Sequence, residues 1–353
     1  MTSVSLSSDE EIEFFKGFVE RYSPSENEGE ARDYLLEELP EMGFEVETDS
    51  VGNVIASVGN TEDESSDEIL LTSHMDTVPG EIPVSIEGGK MYGRGTVDAK
   101  GPLSSMILGA ARHAETDTDR RITVAAVVEE EKSGRGARYL SQNREEPEFL
   151  INGEPSGWDT VTLGYRGILR LRYRVTGEVI HTARPGVNAI EDVIDFWNAV
   201  KTVADDEDGF RSLQAKPTNI ESDSDGFELR SELRGNIRIP PSHSVDELKS
   251  EVREHVGDGD LYFGESTEPV MADRSNPVVR AFTRSIRDED GDMGLSVKTG
   301  TSDMNVFAES WDCPMVTYGP GDSNLDHTPD EHIEISEFRN AVDVIENVVG
   351  NLA

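Results

Sequence analysis

The sequence has one cysteine, Cys313, so no internal disulfide can form, as suits a reducing cytoplasm. Cys313 itself reads as a small buried apolar residue. Long apolar runs are also missing, and nothing approaches the roughly 20 residues that span a bilayer. The first residues, Met1 to Glu13, have neither the basic start nor the apolar stretch of a signal peptide. Lysine is scarce, with 8 against 24 arginines, and the 32 bases face 72 acids. The resulting formal charge of -40 repels nucleic acid and anionic membranes. The excess is not gathered in a tail, because acidic runs such as Glu62-Asp63-Glu64 and Asp67-Glu68 recur along the chain. This predicts a salt-rich cytoplasm, where screening over a few ångströms removes the self-repulsion.

Against these absences stand 353 residues, enough for a full core and two domains. Ser8 with Glu11 and Ser25 with Glu28 read as capping boxes of two helices, the second ending near Gly43. Phe44 to Glu47 and Val51 to Val58 alternate like paired strands. Glu68 to Ser73 and Arg121 to Val128 are more continuously apolar, and each precedes a helical segment, near Lys100 and near Gly134. Strands alternating with helices predict an α/β domain on a mostly parallel sheet. From Gly164 the order changes to βαββαβ, which fits a ferredoxin-like sandwich. The predicted domains are therefore 1–163 with 268–353, and an inserted 164–267.

Within the insertion, Arg170, Arg172 and Arg174 fall on one face of a strand, as do Arg230, Arg234 and Arg238 on another. Two readings stay open: cross-strand pairing with Glu228 and Glu232, or a positive strip for an acidic partner.

Five segments carry candidate chemistry. The strand ending at Ser73 delivers His74-Met75-Asp76, and residues two apart share a face of an extended segment. One of the pair can bind a metal while the other orients a ligand or base; a structural role fits equally. Gly93 to Gly101 (GRGTVDAKG) is glycine-rich but lacks the Gly-Lys-Ser/Thr ending of a phosphate loop. It reads instead as a tight turn presenting Asp98 as a carboxylate ligand. Glu129-Glu130-Glu131 follows an apolar strand and precedes Gly134 and Gly136, a placement that favours an active-site role over solvated surface. Glu154 follows the apolar Phe149-Leu150-Ile151, and Asp326-His327 follows Gly319-Pro320-Gly321.

Taken in order, SHMDTVP, GRGTVDAKG, EEE, GEPS and DHTP resemble the M20 metallopeptidase/deacylase family over nearly the whole chain. The resemblance implies two divalent metal ions bridged by Asp98. His74 and Glu154 would complete one site, Glu131 and His327 the other. Zinc suits these donors, with cobalt or manganese as substitutes. Glu130 would be the base that takes a proton from the attacking water, and Asp76 would fix the ring of His74. A cis peptide between Asp98 and Ala99 is implied as well. Gly177 to Pro185 with Asn188-Ala189 resembles the family's dimerisation motif, which implies a homodimer whose His181 serves the oxyanion across the subunit boundary. His113, His243, His255 and His332 match no motif and read as surface residues.

Gly164-Tyr165-Arg166-Gly167 and Lys298 to Asn305 resemble the branch that hydrolyses amino acids off an amino-group carrier protein, in lysine and arginine biosynthesis. The implied bond joins a terminal glutamate of the carrier to lysine or ornithine. Gly300 and Thr301 would hold a substrate carboxylate through backbone donors, with Arg166 and Arg238 as further substrate residues. The alternatives are an acetylornithine deacetylase, a succinyl-diaminopimelate desuccinylase or a dipeptidase. A binding module without activity is disfavoured by the complete ligand set.

Overall fold

The computed structural model describes residues 6–61, 67–114, 116, 120–181, 183–204 and 209–352. The acidic run Glu62-Asp63-Glu64 and Thr182 of the dimerisation motif lie outside them. Helices α1 (Ser8–Glu20) and α2 (Gly29–Glu41) precede strands β1 (Glu45–Thr48), β2 (Val54–Gly59) and β3 (Glu68–His74). Next come β4 (Ser85–Glu87), β5 (Lys90–Tyr92), α3 (Lys100–Ala114), β6 (Arg121–Val127), α4 (Arg135–Asn143), β7 (Phe149–Gly153) and β8 (Thr160–Tyr165). Then β9 (Gly167–Glu178), α5 (Ala189–Lys201), β10 (Gln214–Ser224), β11 (Glu228–Ile239), α6 (Val245–Arg253) and β12 (Asp260–Phe263) follow. The chain ends with β13 (Val270–Met271), α7 (Pro277–Asp288), β14 (Gly294–Lys298), α8 (Asp303–Ala308), β15 (Met315–Tyr318), β16 (His332–Glu334) and α9 (Ile335–Leu352).

The chain divides into two units. Met1–Leu163, Ala272–Ser296 and Val306–Ala353 form the larger, and Gly164–Met271 with Val297–Asn305 the smaller. The chain thus returns to the larger unit at Ala272 rather than at 268, because β13 pairs back onto Gly164 and Tyr165. Val297–Asn305 joins the smaller unit, where the Asn305 amide donates to the carbonyls of Arg166 and Glu268.

In the larger unit the sheet runs β1-β2-β6-β3-β7-β15-β8. Its centre, β6-β3-β7-β15, is parallel, and β1, β2 and β8 join antiparallel. The expectation of a mostly parallel sheet therefore describes the centre only. Burial explains the division: β3 is enclosed almost throughout, as a central parallel strand must be, whereas β1 is largely exposed. Helix α3 is buried along its first eleven residues and meets α9 closely at Gly109, where a Cβ would lie 2.6 Å from Ile345.

Two helix starts differ from the sequence reading. Ser7 with Glu10, not Ser8 with Glu11, caps α1, and Glu11 is instead buried against Arg112 at 2.6 Å. No side chain caps α2; Ser25 Oγ donates to Asp76 at 2.7 Å instead. Among the described residues no helix is long and apolar enough to cross a membrane.

The smaller unit runs β9-α5-β10-β11-α6-β12, with antiparallel strands in the order β10-β11-β9-β12. One sheet face packs Leu169, Tyr173, Leu233 and Ile237 against Trp197 of α5 and Leu248 of α6. The other face carries the arginines. Arg174 stands opposite Glu232 and binds it at 2.6 Å, Arg234 binds the same carboxylate at 2.9 Å, and Arg230 binds Glu228 at 2.9 Å. Pairing thus accounts for these three.

Candidate metal centre

Parallel strands bring their carboxyl ends to one edge, and β3, β6 and β7 end level with one another. His74 registers with Val127, and Ser73 with both Ala126 and Gly153. His74 therefore closes β3 at the edge where Glu129-Glu130-Glu131 leave β6 and Glu154 leaves β7, the usual place for a ligand site in such sheets. Close strand packing is required here: a Cβ on Gly153 would lie 2.6 Å from that of Ser73. Ser73 Oγ also donates to Gly153 and Ala99 carbonyls, tying β3 to β7 and to the turn after Asp98. The Asp98–Ala99 peptide is cis, as the family resemblance implies.

Asp98 sits between two imidazoles. Its Oδ1 lies 3.1 Å from His74 Nε2 and its Oδ2 lies 3.0 Å from His327 Nε2. His327 Nε2 is also 2.9 Å from Glu131 Oε1. Two groups could each hold an ion, His74 with Glu130 and Glu154, and His74 with Asp98 and Glu131, their donor atoms lying within 4.8 Å of one another. Donors about 2.0–2.2 Å from one zinc-like ion lie roughly 3 Å apart, which matches the distances from Asp98 to His74 and His327 and from His327 to Glu131. Four converging carboxylates with only two imidazoles between them are a donor set that calls for cations.

Asp76 is fully buried and serves this edge in two ways. Its backbone carbonyl is 2.8 Å from His74 Nδ1, nearer than its carboxylate at 3.5 Å, so the carbonyl sets the ring. The carboxylate accepts instead from the backbone N–H groups of Glu130 and Glu131, at 3.0 and 3.2 Å, and from Ser25 Oγ. Glu129 turns elsewhere, with its carboxylate bound by Ser133 Oγ and by Arg135 at 2.6 Å. Glu129 and His327 both adopt left-handed backbone, φ 57° and 58°, a conformation that non-glycine residues hold only where the surroundings impose it. At Glu129 the surroundings include buried Asn53, whose Oδ1 accepts from Val128 N–H and whose amide donates to the Gly136 carbonyl.

Glu331 went unnoticed in the sequence, yet it organises the Asp98 turn. Fully buried, it accepts from the N–H groups of Gly95, Val97 and Asp98 at 2.9, 2.9 and 3.2 Å. It also pairs with Arg94 at 2.7 Å. Glu331→Ala would strand that buried arginine and three N–H groups, so a loss of about 3–5 kcal/mol is expected in chemical unfolding. Glu331→Gln, which keeps one acceptor, should lose less.

Burial opposes charge on His74, yet the carboxylates of Asp76 and Asp98 carry its pKa well above the ordinary value. At His327, hydrogen bonds to Asp98 and Glu131 raise it to about 10. Burial would raise Asp98, but His327 and His74 overcome it and lower its pKa. Below those raised values the metal-free protein keeps both rings protonated, whereas ligation needs them neutral. Metal affinity should therefore fall as pH falls, by about tenfold per unit for each proton displaced. Calorimetry at pH 7 in buffers of different ionisation enthalpy should return about two protons released per chain. A value near zero would mean that the rings are already neutral.

The remaining sequence candidates lie in the smaller unit. His181 is exposed, and its Nδ1 accepts from Ala183 N–H at 3.1 Å. The buried Arg166 guanidinium donates to the Thr299 carbonyl at 2.9 Å, to Gln214 at 2.7 Å and to the carbonyls of Gly209 and Ser212, so it fastens the Lys298–Ser302 segment. Gly300 has open space around it, and Thr301 is half-buried beside it. Arg238 has a buried Nη1 with no hydrogen-bond partner among the described residues. Burial, and then Arg170, lower its pKa. The histidines without a motif, His113, His243, His255 and His332, are all half-buried rather than plain surface, His332 beside Lys90 and Tyr92.

A parallel-centred α/β unit with imidazoles and carboxylates gathered at its strand ends defines a metal-dependent hydrolase of amide bonds. Its family model is that of Peptidase family M20/M25/M40, which matches residues 70–351, and the chain belongs to that family. A chain from Pyrococcus abyssi is 40% identical over 344 residues, covering 98% of this chain and 94% of its own. Its name places it, provisionally, among [LysW]-lysine/[LysW]-ornithine hydrolases. The [LysW]-lysine hydrolase of Deinococcus radiodurans is 36% identical over 334 residues, 90% of each chain. Among solved structures, the aminopeptidase PepT of Bacillus cereus shares the fold, with a TM-score of 0.82 at 19% identity over 99% of this chain and all of its own.

Proposed function

We propose that this hydrolase cleaves the amide linking lysine or ornithine to the terminal glutamate of an amino-group carrier protein, within lysine or arginine biosynthesis. The observation that carries the reading is full-length similarity to hydrolases named for that substrate, together with the converged donor set. Two divalent ions would be held here, with Asp98 shared between them, His74 and Glu154 on one and Glu131 and His327 on the other; zinc would suit these donors, with cobalt or manganese as substitutes. Such ions would polarise the amide carbonyl and acidify the attacking water.

The protein's own groups do the rest. Glu130 takes the proton from that water and hands it to the leaving amine, its backbone held by Asp76. Because Nδ1 of His181 accepts a hydrogen bond, the neutral ring carries its proton on Nε2, the form an oxyanion donor needs. We assign that donation to the partner subunit's His181, in a homodimer. Support for the dimer lies in β10, an exposed edge strand eleven residues long, and in the exposed Ile190 and Ile194 one turn apart on α5. Half-buried Arg238, whose Nη1 has no hydrogen-bond partner among the described residues, takes the carboxylate of the departing amino acid, with the backbone donors of Gly300 and Thr301. The smaller unit is a ferredoxin-like sandwich.

Mass spectrometry of products tests the reading. Purified enzyme is given carrier-linked lysine, carrier-linked ornithine, acetylornithine and succinyl-diaminopimelate. Turnover confined to the last two would overturn it.

A further inference from the structure

The connection between α1 and α2 breaks three local rules within four residues. Ser25 and Glu28 have the spacing of a capping box, yet no side chain caps α2, although a capping serine would stabilise it. Glu26 holds left-handed backbone, φ 72°, without being glycine. The buried Glu28 carboxylate accepts from the Glu26 N–H at 2.9 Å and meets no basic side chain among the described residues. Chains forgo local stability in this way where function asks for a different arrangement.

What the connection holds supplies the reason. Its backbone runs beside the residues that follow β3. Thr77 N–H donates to the Ser23 carbonyl at 2.9 Å, and Ser25 N–H donates to the Thr77 carbonyl at 3.3 Å. Ser23, fully buried, donates its hydroxyl to the Met75 carbonyl at 2.7 Å, and Tyr22 Oη accepts from Gly80 N–H at 2.9 Å. Residues 22–25 thus form a strap fastened along 75–80. From this strap two side chains reach the acidic loop. Ser25 Oγ donates to Asp76 Oδ2 at 2.7 Å, the same oxygen that accepts from Glu131 N–H. Glu26 binds Lys132, the residue after Glu131, at 2.5 Å.

The two contacts differ in strength. Glu26 and Lys132 are both more than half exposed, so dissolved salt screens their attraction. Ser25 is half-buried and its partner Asp76 fully buried, and a hydrogen bond to a buried carboxylate is both strong and shielded. Asp76 in turn takes the N–H groups of Glu130 on Oδ1 and of Glu131 on Oδ2. Those two donors come from the loop that has to be held. The Ser25 hydroxyl comes from a separate part of the chain and ties Asp76 to it.

We propose that Ser25 is a positioning residue for the base: through Asp76 it fixes the backbone from which Glu130 and Glu131 extend. It touches no reacting atom. The proposal rests on Glu130 as the base and Glu131 as a ligand, as assigned above.

Amide hydrogen exchange on the full-length protein, resolved to single residues by mass spectrometry, tests it together with kinetics. Ser25→Ala should speed exchange at Glu130 and Glu131 about tenfold. Val128, whose N–H is held by Asn53 instead, should keep its rate. On whichever of the four substrates above the wild type hydrolyses, kcat should fall about tenfold with KM unchanged, as for one lost hydrogen bond to a charged group. Ser25→Thr, which retains the hydroxyl, should return both readouts toward wild type. A wild-type kcat in Ser25→Ala overturns the assignment. So does exchange that quickens equally at Val128, which would make Ser25 a general support of the fold. Full activity of Glu130→Gln would remove the base assignment instead, and the exchange rates would still report whether Ser25 orders the loop.

Discussion

Glu130→Gln is expected to lower kcat by about 10² to 10⁴ while both metal ions stay bound. The amide has the shape of the carboxylate but cannot accept a proton from water, so the chemical step fails and the architecture does not. Architecture should survive because Glu130 is held through its backbone: its N–H donates to Asp76 Oδ1, which the substitution leaves in place. Metal content by mass spectrometry and kcat from product release separate the possibilities. Loss of an ion would make Glu130 a ligand, since its carboxylate also lies among the donors around His74 and Glu154. A crippled Glu129→Gln with a healthy Glu130→Gln would move the base by one residue. That outcome would be hard to reconcile with Glu129 being engaged by Ser133 and Arg135.

Asp98→Ala should be as severe for a different reason. One oxygen of Asp98 faces His74 and the other faces His327, so on the proposed two-metal reading this carboxylate would be shared by the two sites. Without it, two cations a few ångströms apart lose the anion that screens their repulsion. We expect metal stoichiometry to fall from two to one or none. Activity should fall by at least about 10³, the equivalent of roughly 4 kcal/mol of Lewis-acid stabilisation. Full activity with a single bound ion would refute the two-metal mechanism. His327→Ala, by contrast, removes a donor from one site and should leave the other filled.

The sequence was readable where chemistry needs a particular residue beside a particular element. His74 at the end of an apolar strand, Asp98 in a glycine-rich turn and the acidic run after β6 were all found in that way, and the structure gathers them at one sheet edge. Helix starts were less readable, since Ser7 and Ser8 offer adjacent capping boxes and only tertiary packing, with Glu11 held by Arg112, selects between them. Ser25 resembled a cap because its spacing to Glu28 is right, but its hydroxyl serves a carboxylate 51 positions away in the chain. Asn53 and Glu331 gave no signal at all. Each acts by accepting from backbone N–H groups of a distant segment, and such bonds leave no periodicity and no motif. The antiparallel flanks of the sheet were hidden for a related reason, because strand direction depends on connections that local alternation does not encode.

Strand β15 enters the sheet between β7 and β8, although the ribosome makes it only after the entire smaller unit. His327 and Glu331 emerge later still. A nascent chain can therefore complete the β9–β12 sheet of the smaller unit, whose strands are consecutive, while the larger one still has a gap in its middle and lacks His327, one of the five proposed ligands. On the proposed ligand set, a translation product that stops before His327 lacks a donor of the second site. The same arrangement leaves the edge of β7 that later takes β15 unpaired during synthesis, an interval in which another strand could add to it.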